Sequence, residues 1–304
     1  MAFIPIDEAD IAGARALRTE FARFWSTEQG LPRDVYDRFI SATPTAAAVV
    51  VDQVMDGPAP GVWVRPAQAR SGGAVLFLHG GGYRQGSARA YVGLVSQLAV
   101  RLHVPVFALD YPLAPESQLP EALNLAVAAL GRLVDTHTAV AVVGDSAGGG
   151  LSLATVADAH RQNVDAVAVA VFSPWTDLTL SGPSVHEFAI GDPLLDPEYL
   201  RDCATDYLGS AAPDDPRAFP LFGAPDALPP MLIQVGTDEI LLDDSRRLAE
   251  AIEKAGGAVT LEVWQGLHHV FQLNVAELAS ARRALDTAAK FLSAHLFGMD
   301  AAIS

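Results

Sequence analysis

Ala139-Val140-Ala141-Val142-Val143-Gly144-Asp145-Ser146-Ala147-Gly148-Gly149-Gly150-Leu151 reads as a strand that runs into a helix through a tight elbow. The run Val140 to Val143 is apolar and β-branched; it stops at a glycine and gives way, through small residues, to a helical stretch from Leu151 to His160. Gly144-Asp145-Ser146-Ala147-Gly148 fits G-x-S-x-G, in which the serine occupies a strained strand-to-helix turn and small neighbours let other groups approach its hydroxyl. Ser146 is therefore the candidate nucleophile. An ordinary glycine-rich turn or a phosphate loop would use similar residues, but no G-x-x-x-x-G-K-[ST] or G-x-G-x-x-G pattern supports a phosphate site.

Strands alternate with helical stretches on both sides of the elbow. Upstream lie a buried strand Ala74 to Leu78, the glycine loop His79-Gly80-Gly81-Gly82-Tyr83, a helix from Ala88 to Leu102, a strand Val104 to Leu109 and a helix Pro120 to Val134. Downstream come strands Val167 to Phe172, Met231 to Val235 and Val259 to Trp264, a helix Leu242 to Ala255 and a closing helix Asn274 to Leu296. That alternation predicts right-handed βαβ crossovers and a mostly parallel sheet covered by helices on both faces. Ala47 to Met55 and Gly61 to Pro66, joined by Asp56-Gly57-Pro58, predict an edge hairpin. Residues 8 to 26 and 31 to 40 carry apolar positions at helical spacing. The alternation lapses between Leu178 and Pro230, where Pro197 to Leu208 alone looks helical, and so long an irregular excursion predicts a substrate-binding insertion. The expected organisation is a single domain, 1–304, with a catalytic core over 46–177 and 231–304 and cap or lid regions over 1–45 and 178–230.

Composition narrows the function classes. The chain has 304 residues, half of them hydrophobic, which is ample for a large core, and a formal net charge of −16. So acidic a surface repels nucleic acid and anionic membranes, so a small neutral substrate is the expected partner. The first residues, Met1-Ala-Phe-Ile-Pro-Ile-Asp-Glu8, lack the basic start and long apolar core of a secretory leader, and no apolar run approaches about 18 residues, so a cytoplasmic location is expected. Cys203, the single cysteine, permits no intrachain disulfide and no cysteine-based zinc cluster, and reads as an inert, partly buried residue.

Acyl transfer by serine needs an imidazole to take and return the hydroxyl proton, a carboxylate to hold that imidazole, and donors for the oxyanion. In a doubly wound sheet the loops at the carboxyl ends of parallel strands converge on one crevice. Two such loops carry the required groups: Gly236-Thr237-Asp238-Glu239 offers two carboxylates, and Gln265-Gly266-Leu267-His268-His269 offers two imidazoles. The order serine, acid, histidine is the one expected of this elbow type. The backbone N–H groups of Gly81, Gly82 and Ala147 are the candidate oxyanion donors, since glycines let several amides point at one spot. His79 reads as holding the glycine loop rather than as a base, and Asp145 as a hydrogen-bond anchor for the elbow. Asp243 and Asp244 read as caps of the helix they precede. Phe21, Trp25, Tyr83, Phe188, Leu195 and Phe271 are candidates for an apolar acyl pocket.

His79-Gly80-Gly81-Gly82, Tyr111-x-Leu113-Ala114-Pro115-Glu116, Gly144-Asp145-Ser146-Ala147-Gly148-Gly149, Ser173-Pro174-Trp175-x-Asp177-Leu178 and Gly266-Leu267-x-His269-x-Phe271 occur in this order. Together they resemble the bacterial hormone-sensitive-lipase family of α/β-hydrolase carboxylesterases. The resemblance implies an α/β-hydrolase fold with an eight-stranded sheet and a helical cap, and carboxylesterase activity on short- to medium-chain acyl esters with neither metal nor cofactor. It also implies His269, three residues after Gly266, as the base, and Glu239 as the acid, because Glu239-Ile240-Leu241-Leu242-Asp243 keeps the family's frame and Asp238 does not. Pro112 stands where the family commonly has arginine, so Glu116 is expected to pair elsewhere. Dimers are common in the family, so a homodimer is an open expectation. The same scaffold also serves lactonases, amidases and deacetylases, and a non-catalytic small-molecule receptor is the alternative outside enzymes. Such receptors lose the histidine that is retained here.

Overall fold

Buried alternation sets the architecture. In β6 (Ala139–Asp145), every residue is shielded from solvent, yet Val140 and Val142 pack into one hydrophobic cluster while Ala141 and Val143 pack into another. The strand is thus the centre of two cores, as a parallel strand covered on both faces must be. The computed structural model describes residues 1–55, 59–187, 190–212, 214–218 and 228–298. The turn Asp56-Gly57-Pro58 and the pocket candidate Phe188 lie outside the described residues.

The other strands are β1 (Ala2–Ile4), β2 (Val49–Val54), β3 (Gly61–Pro66), β4 (Gly73–Leu78), β5 (Val106–Leu109), β7 (Ala168–Phe172), β8 (Met231–Gly236) and β9 (Val259–Trp264). They form one sheet in the order β1-β9-β8-β7-β6-β4-β5-β3-β2. All neighbours are parallel except β2 on β3 and β3 on β5, so the edge hairpin is as expected. The expected eight strands are nine. Ala2, Phe3 and Ile4 pair with Glu262, Val263 and Trp264, adding a parallel edge strand. Three residues are too few to show a period-two pattern, and Gln265 N–H donating to the Ile4 carbonyl at 3.0 Å fixes the pairing only through a partner 261 residues away.

The helices are α1 (Glu8–Thr27), α2 (Pro32–Ile40), α3 (Val92–Leu102), α4 (Glu121–Thr136), α5 (Ser146–Arg161), α6 (Pro197–Leu208), α7 (Leu242–Lys254) and α8 (Ala279–Phe297). Helices α3 and α8 pack on one sheet face and α4, α5 and α7 on the other. The closing helix starts five residues later than the expected Asn274, because residues 274–278 form a separate turn, with the Leu278 N–H donating to the Asn274 carbonyl at 2.9 Å. Among the described residues, no helix is long and apolar enough to cross a membrane.

Helix α1 is tied to α8 by Asp10, whose carboxylate accepts from the Ala279 and Ser280 amides at 2.9 and 2.6 Å and so caps α8. Helix α2 is tied by Arg33, which bonds the Arg84 and Ala114 carbonyls and pairs with Glu116 at 2.6 Å. Glu116, left without an arginine at position 112, has taken its partner from α2. Asp243 and Asp244 do not cap α7 as expected. Asp243 accepts from the Ser184 amide, and Asp244 from the amides of Thr176 and Asp177 at 2.7 and 2.8 Å. The two carboxylates therefore bind neighbouring loops to α7 rather than ending the helix.

Candidate active site

The elbow sits where β6 meets α5, and its geometry explains its small residues. Ser146 has φ +51°, a left-handed conformation that a residue with a Cβ adopts at a cost of about 1–3 kcal/mol. The turn is so tight that a Cβ on Gly144 would lie 2.3 Å from the Gly148 carbonyl oxygen, and one on Gly148 would lie 2.1 Å from that of Leu78. Both glycines are required by close backbone approach, which brings β4 and its following loop against Ser146.

That loop is held open by its neighbours. Gly81 and Gly82 have φ +112° and +61° and line the same cavity as Ser146. The Gly80 amide donates to Asp145 Oδ1 at 2.9 Å, and Tyr91 donates to Asp145 Oδ2 at 2.9 Å. Asp145 is thus an anchor between elbow and loop, as expected; burial pushes its carboxyl up to about 7, against the pull of the Tyr91 and Gly80 bonds. His79 donates from Nδ1 to the Gly80 carbonyl at 2.7 Å, stacks on Tyr111 with ring centroids 4.2 Å apart, and is pushed down to about 4 by burial. It is a neutral prop for the loop. Ala147 is fully buried in the first turn of α5, where backbone N–H groups have no partner within the helix.

At the ends of β8 and β9 the alternatives separate. His269 Nδ1 lies 2.7 Å from Glu239 Oε2, and both side chains are buried. Glu239 Oε1 accepts from the Ser173 hydroxyl and from the Gly236 amide, each at 2.7 Å. Asp238 points elsewhere, pairing with Arg18 of α1 at 2.6 Å. His268 sits edge-on to Phe21 of α1 with its Nε2 3.0 Å from Asn274 Oδ1, and burial lowers it to about 4. Burial would lower His269 as well, but the Glu239 hydrogen bond and the charges of Glu239, Asp192 and Asp145 outweigh it and hold the imidazole above its ordinary value. Among the described residues the Ser146 hydroxyl makes no hydrogen bond, and its relation to His269 is that both face one cavity.

That cavity has a volume of about 280 Å³ and is mostly apolar. Trp25 and Leu195, both expected, line it. Phe21 lines a neighbouring cavity, Tyr83 stacks on Tyr207 at 3.7 Å, and Phe271 packs on Trp264, so Tyr83 and Phe271 are core. Tyr36, Phe39, Tyr199 and Leu200 complete the wall and were not signalled by sequence, because nothing in a helical period says which face of α2 or α6 meets a ligand. Ser173 was likewise missed. Its hydroxyl donates to Glu239 and accepts from the Val270 amide at 3.0 Å, joining the loop of Glu239 to that of His269.

Residues 75–273 match the family model of the alpha/beta hydrolase fold. The chain belongs to this family. Within it, the chain is similar to an acetyl-hydrolase of Streptomyces hygroscopicus, 38% identical over 275 residues that cover 88% of this chain and 92% of the relative. It is 34% identical over 247 residues to an ethyl acetate hydrolase of Pseudomonas putida, covering 76% and 77%. A solved esterase of the bacterial hormone-sensitive lipase family superposes with a TM-score of 0.88 at 31% identity, covering 94% of this chain and 98% of that one. This α/β hydrolase is a carboxylic ester hydrolase of the hormone-sensitive-lipase group. Among its described residues no group of three or more histidine, cysteine, aspartate or glutamate side chains could hold a metal ion.

Proposed function

We propose that this hydrolase cleaves short- to medium-chain carboxylic esters through an acyl-enzyme formed on Ser146, with His269 as base and Glu239 as the carboxylate that orients it. The observation that carries the reading is the 2.7 Å His269–Glu239 contact beside a serine in the left-handed elbow conformation. With Nδ1–H held by Glu239, His269 presents a bare Nε2 toward the cavity. The Ser146 hydroxyl gives its proton to Nε2 as its oxygen attacks the ester carbonyl; contacts of this kind are commonly long in a resting site and tighten on substrate. The oxyanion is taken by the amides of Gly81, Gly82 and Ala147, each such donor being worth roughly 100- to 1000-fold in rate. The imidazolium then protonates the departing alkoxide. Water, deprotonated by the same nitrogen, releases the acid and restores the serine.

A cavity of about 280 Å³ is at the small end of ligand sites, which run to roughly 1,000 Å³, and supports acetyl to butyryl chains over long ones. The relatives named for acetyl and ethyl acetate hydrolysis support the same choice. In this reading residues 1–45 and 178–230 form a cap, since Trp25, Tyr36, Leu195 and Tyr199 come from them, and 46–177 with 231–304 form the core of a single domain.

A fluorophosphonate probe tests the chemistry: one equivalent should attach, and peptide mass analysis should place it on Ser146. Labelling at another residue, or none, refutes the assignment. The base adds a pH dependence. Because the neutral imidazole is the active form and His269 is held above the ordinary histidine value, kcat/KM for p-nitrophenyl acetate should fall as pH drops, with its acid limb above that ordinary value. A limb at or below the ordinary histidine value would contradict the Glu239 contact.

A further inference from the structure

Asp192 is a carboxylate beside the site to which the reaction above gives no task. It lies in the irregular segment ahead of α6 and is partly buried. Its Oδ1 accepts from the amides of Leu194 and Leu195 at 2.8 and 2.9 Å, and its Oδ2 accepts from the Ile240 amide at 2.9 Å. Leu194 and Leu195 are walls of the cavity, and Ile240 directly follows Glu239. One side chain therefore clamps the substrate wall to the loop that carries the acid. Arg18 adds a second tie a few residues away, bonding the Gly191 carbonyl and Asp238 at 2.6 Å each.

Resting on the triad reading above, we propose that Asp192 is a positioning residue with two effects: it sets the Leu194–Leu195 wall against the Glu239 loop, and its negative charge stabilises the imidazolium of His269. The groups facing His269 are Glu239 from the end of β8, Asp145 from the elbow, Asp192 from the segment before α6, and the neighbouring His268, beyond which lie Arg18 and Asp238. Asp145 is held by Tyr91 and Gly80 and serves the glycine loop; Glu239 makes the direct bond. Asp192 is the remaining carboxylate whose charge favours the protonated ring. Burial raises Asp192 itself, while the three amides and His269 favour its ionised form.

Asp192→Asn separates these effects from simple scaffolding. An asparagine that keeps its oxygen on Leu194 and Leu195 turns its NH₂ toward the Ile240 amide, donor against donor, and carries no charge. The acid limb of kcat/KM should move to lower pH by about half a unit, since one unit corresponds to 1.36 kcal/mol of charge interaction. The ratio of butyrate to acetate ester turnover should change by about threefold as the wall shifts. Asp192→Glu keeps the charge and should keep the limb near the wild-type position while altering the ratio, and it serves as the test if the asparagine variant does not fold. A limb unmoved in Asp192→Asn, or moved equally in Asp192→Glu, overturns the proposal. Glu239→Gln measured alongside tells the two readings apart: an active Glu239→Gln defeats the triad assignment, whereas an inactive one with an unmoved Asp192→Asn limb defeats this inference alone.

Discussion

Ser146→Ala will abolish p-nitrophenyl acetate hydrolysis, lowering kcat by on the order of 10⁵-fold, with the fold intact. Loss of the attacking oxygen leaves the His269–Glu239 pair and the oxyanion amides in place, so the residual rate should be that of binding and polarisation alone. The fold survives because residue 146 contributes little packing: its side chain faces the cavity and makes no hydrogen bond to the described residues. Its backbone contributes strain. At φ +51° alanine is as uncomfortable as serine, whereas glycine is not, so Ser146→Gly should be equally inactive yet more stable than Ser146→Ala by about 1 kcal/mol, a rise of roughly 2 °C in Tm. Calorimetry of the two dead variants checks the strain, and ester assays check the chemistry. An alanine variant with even a tenth of the native rate would remove Ser146 from the mechanism.

The elbow was legible in the sequence because its constraints are local. Gly144 and Gly148 are needed where backbone meets backbone, Ser146 stands between them, and a buried strand and a helix flank them within a few residues. The glycine loop was legible for the same reason. Strand β1 was not: its pairing with β9 spans nearly the whole chain, and three residues carry no period. Asp243 and Asp244 read as caps because carboxylates at the start of a helix usually are, but both lie within the first turn of α7 and bond elsewhere. Their partners, the amides of Ser184, Thr176 and Asp177, come from about 60 residues or more upstream. The pocket wall failed in a similar way. Phe271 and Tyr83 are as aromatic as Trp25, but Trp264 and Tyr207 cover them, and only the fold decides which aromatic faces are covered. What sequence left open at the site was a choice between neighbours in two adjacent pairs. In the structure the members of each pair leave their loops in different directions, Glu239 toward His269 and Asp238 toward Arg18.

Glu239→Gln should cost on the order of 10⁴-fold in kcat, while Asp238→Asn should leave kcat within about twofold of native. The argument is one of donors and acceptors. Glu239 Oε1 receives both the Ser173 hydroxyl and the Gly236 amide, so a glutamine must place its carbonyl oxygen there. Its NH₂ then meets His269 Nδ1. An NH₂ can only donate, so Nδ1 must become the bare nitrogen and the proton must move to Nε2. His269 then faces Ser146 with a proton already on the nitrogen that has to accept one, and general base catalysis stops although every heavy atom keeps its place. The imidazolium also loses its closest counter-charge, so the acid limb of any residual activity should shift to lower pH. Asp238 has no such link. Its carboxylate accepts from the Thr237 hydroxyl at 2.9 Å and pairs with Arg18; both members of that pair are about one-third exposed, and such a pair contributes roughly 0–1 kcal/mol of stability and nothing to proton transfer. Steady-state kinetics of the two variants decide the matter, and the opposite pattern, with Asp238→Asn inactive and Glu239→Gln unaffected, would transfer the role of acid to Asp238.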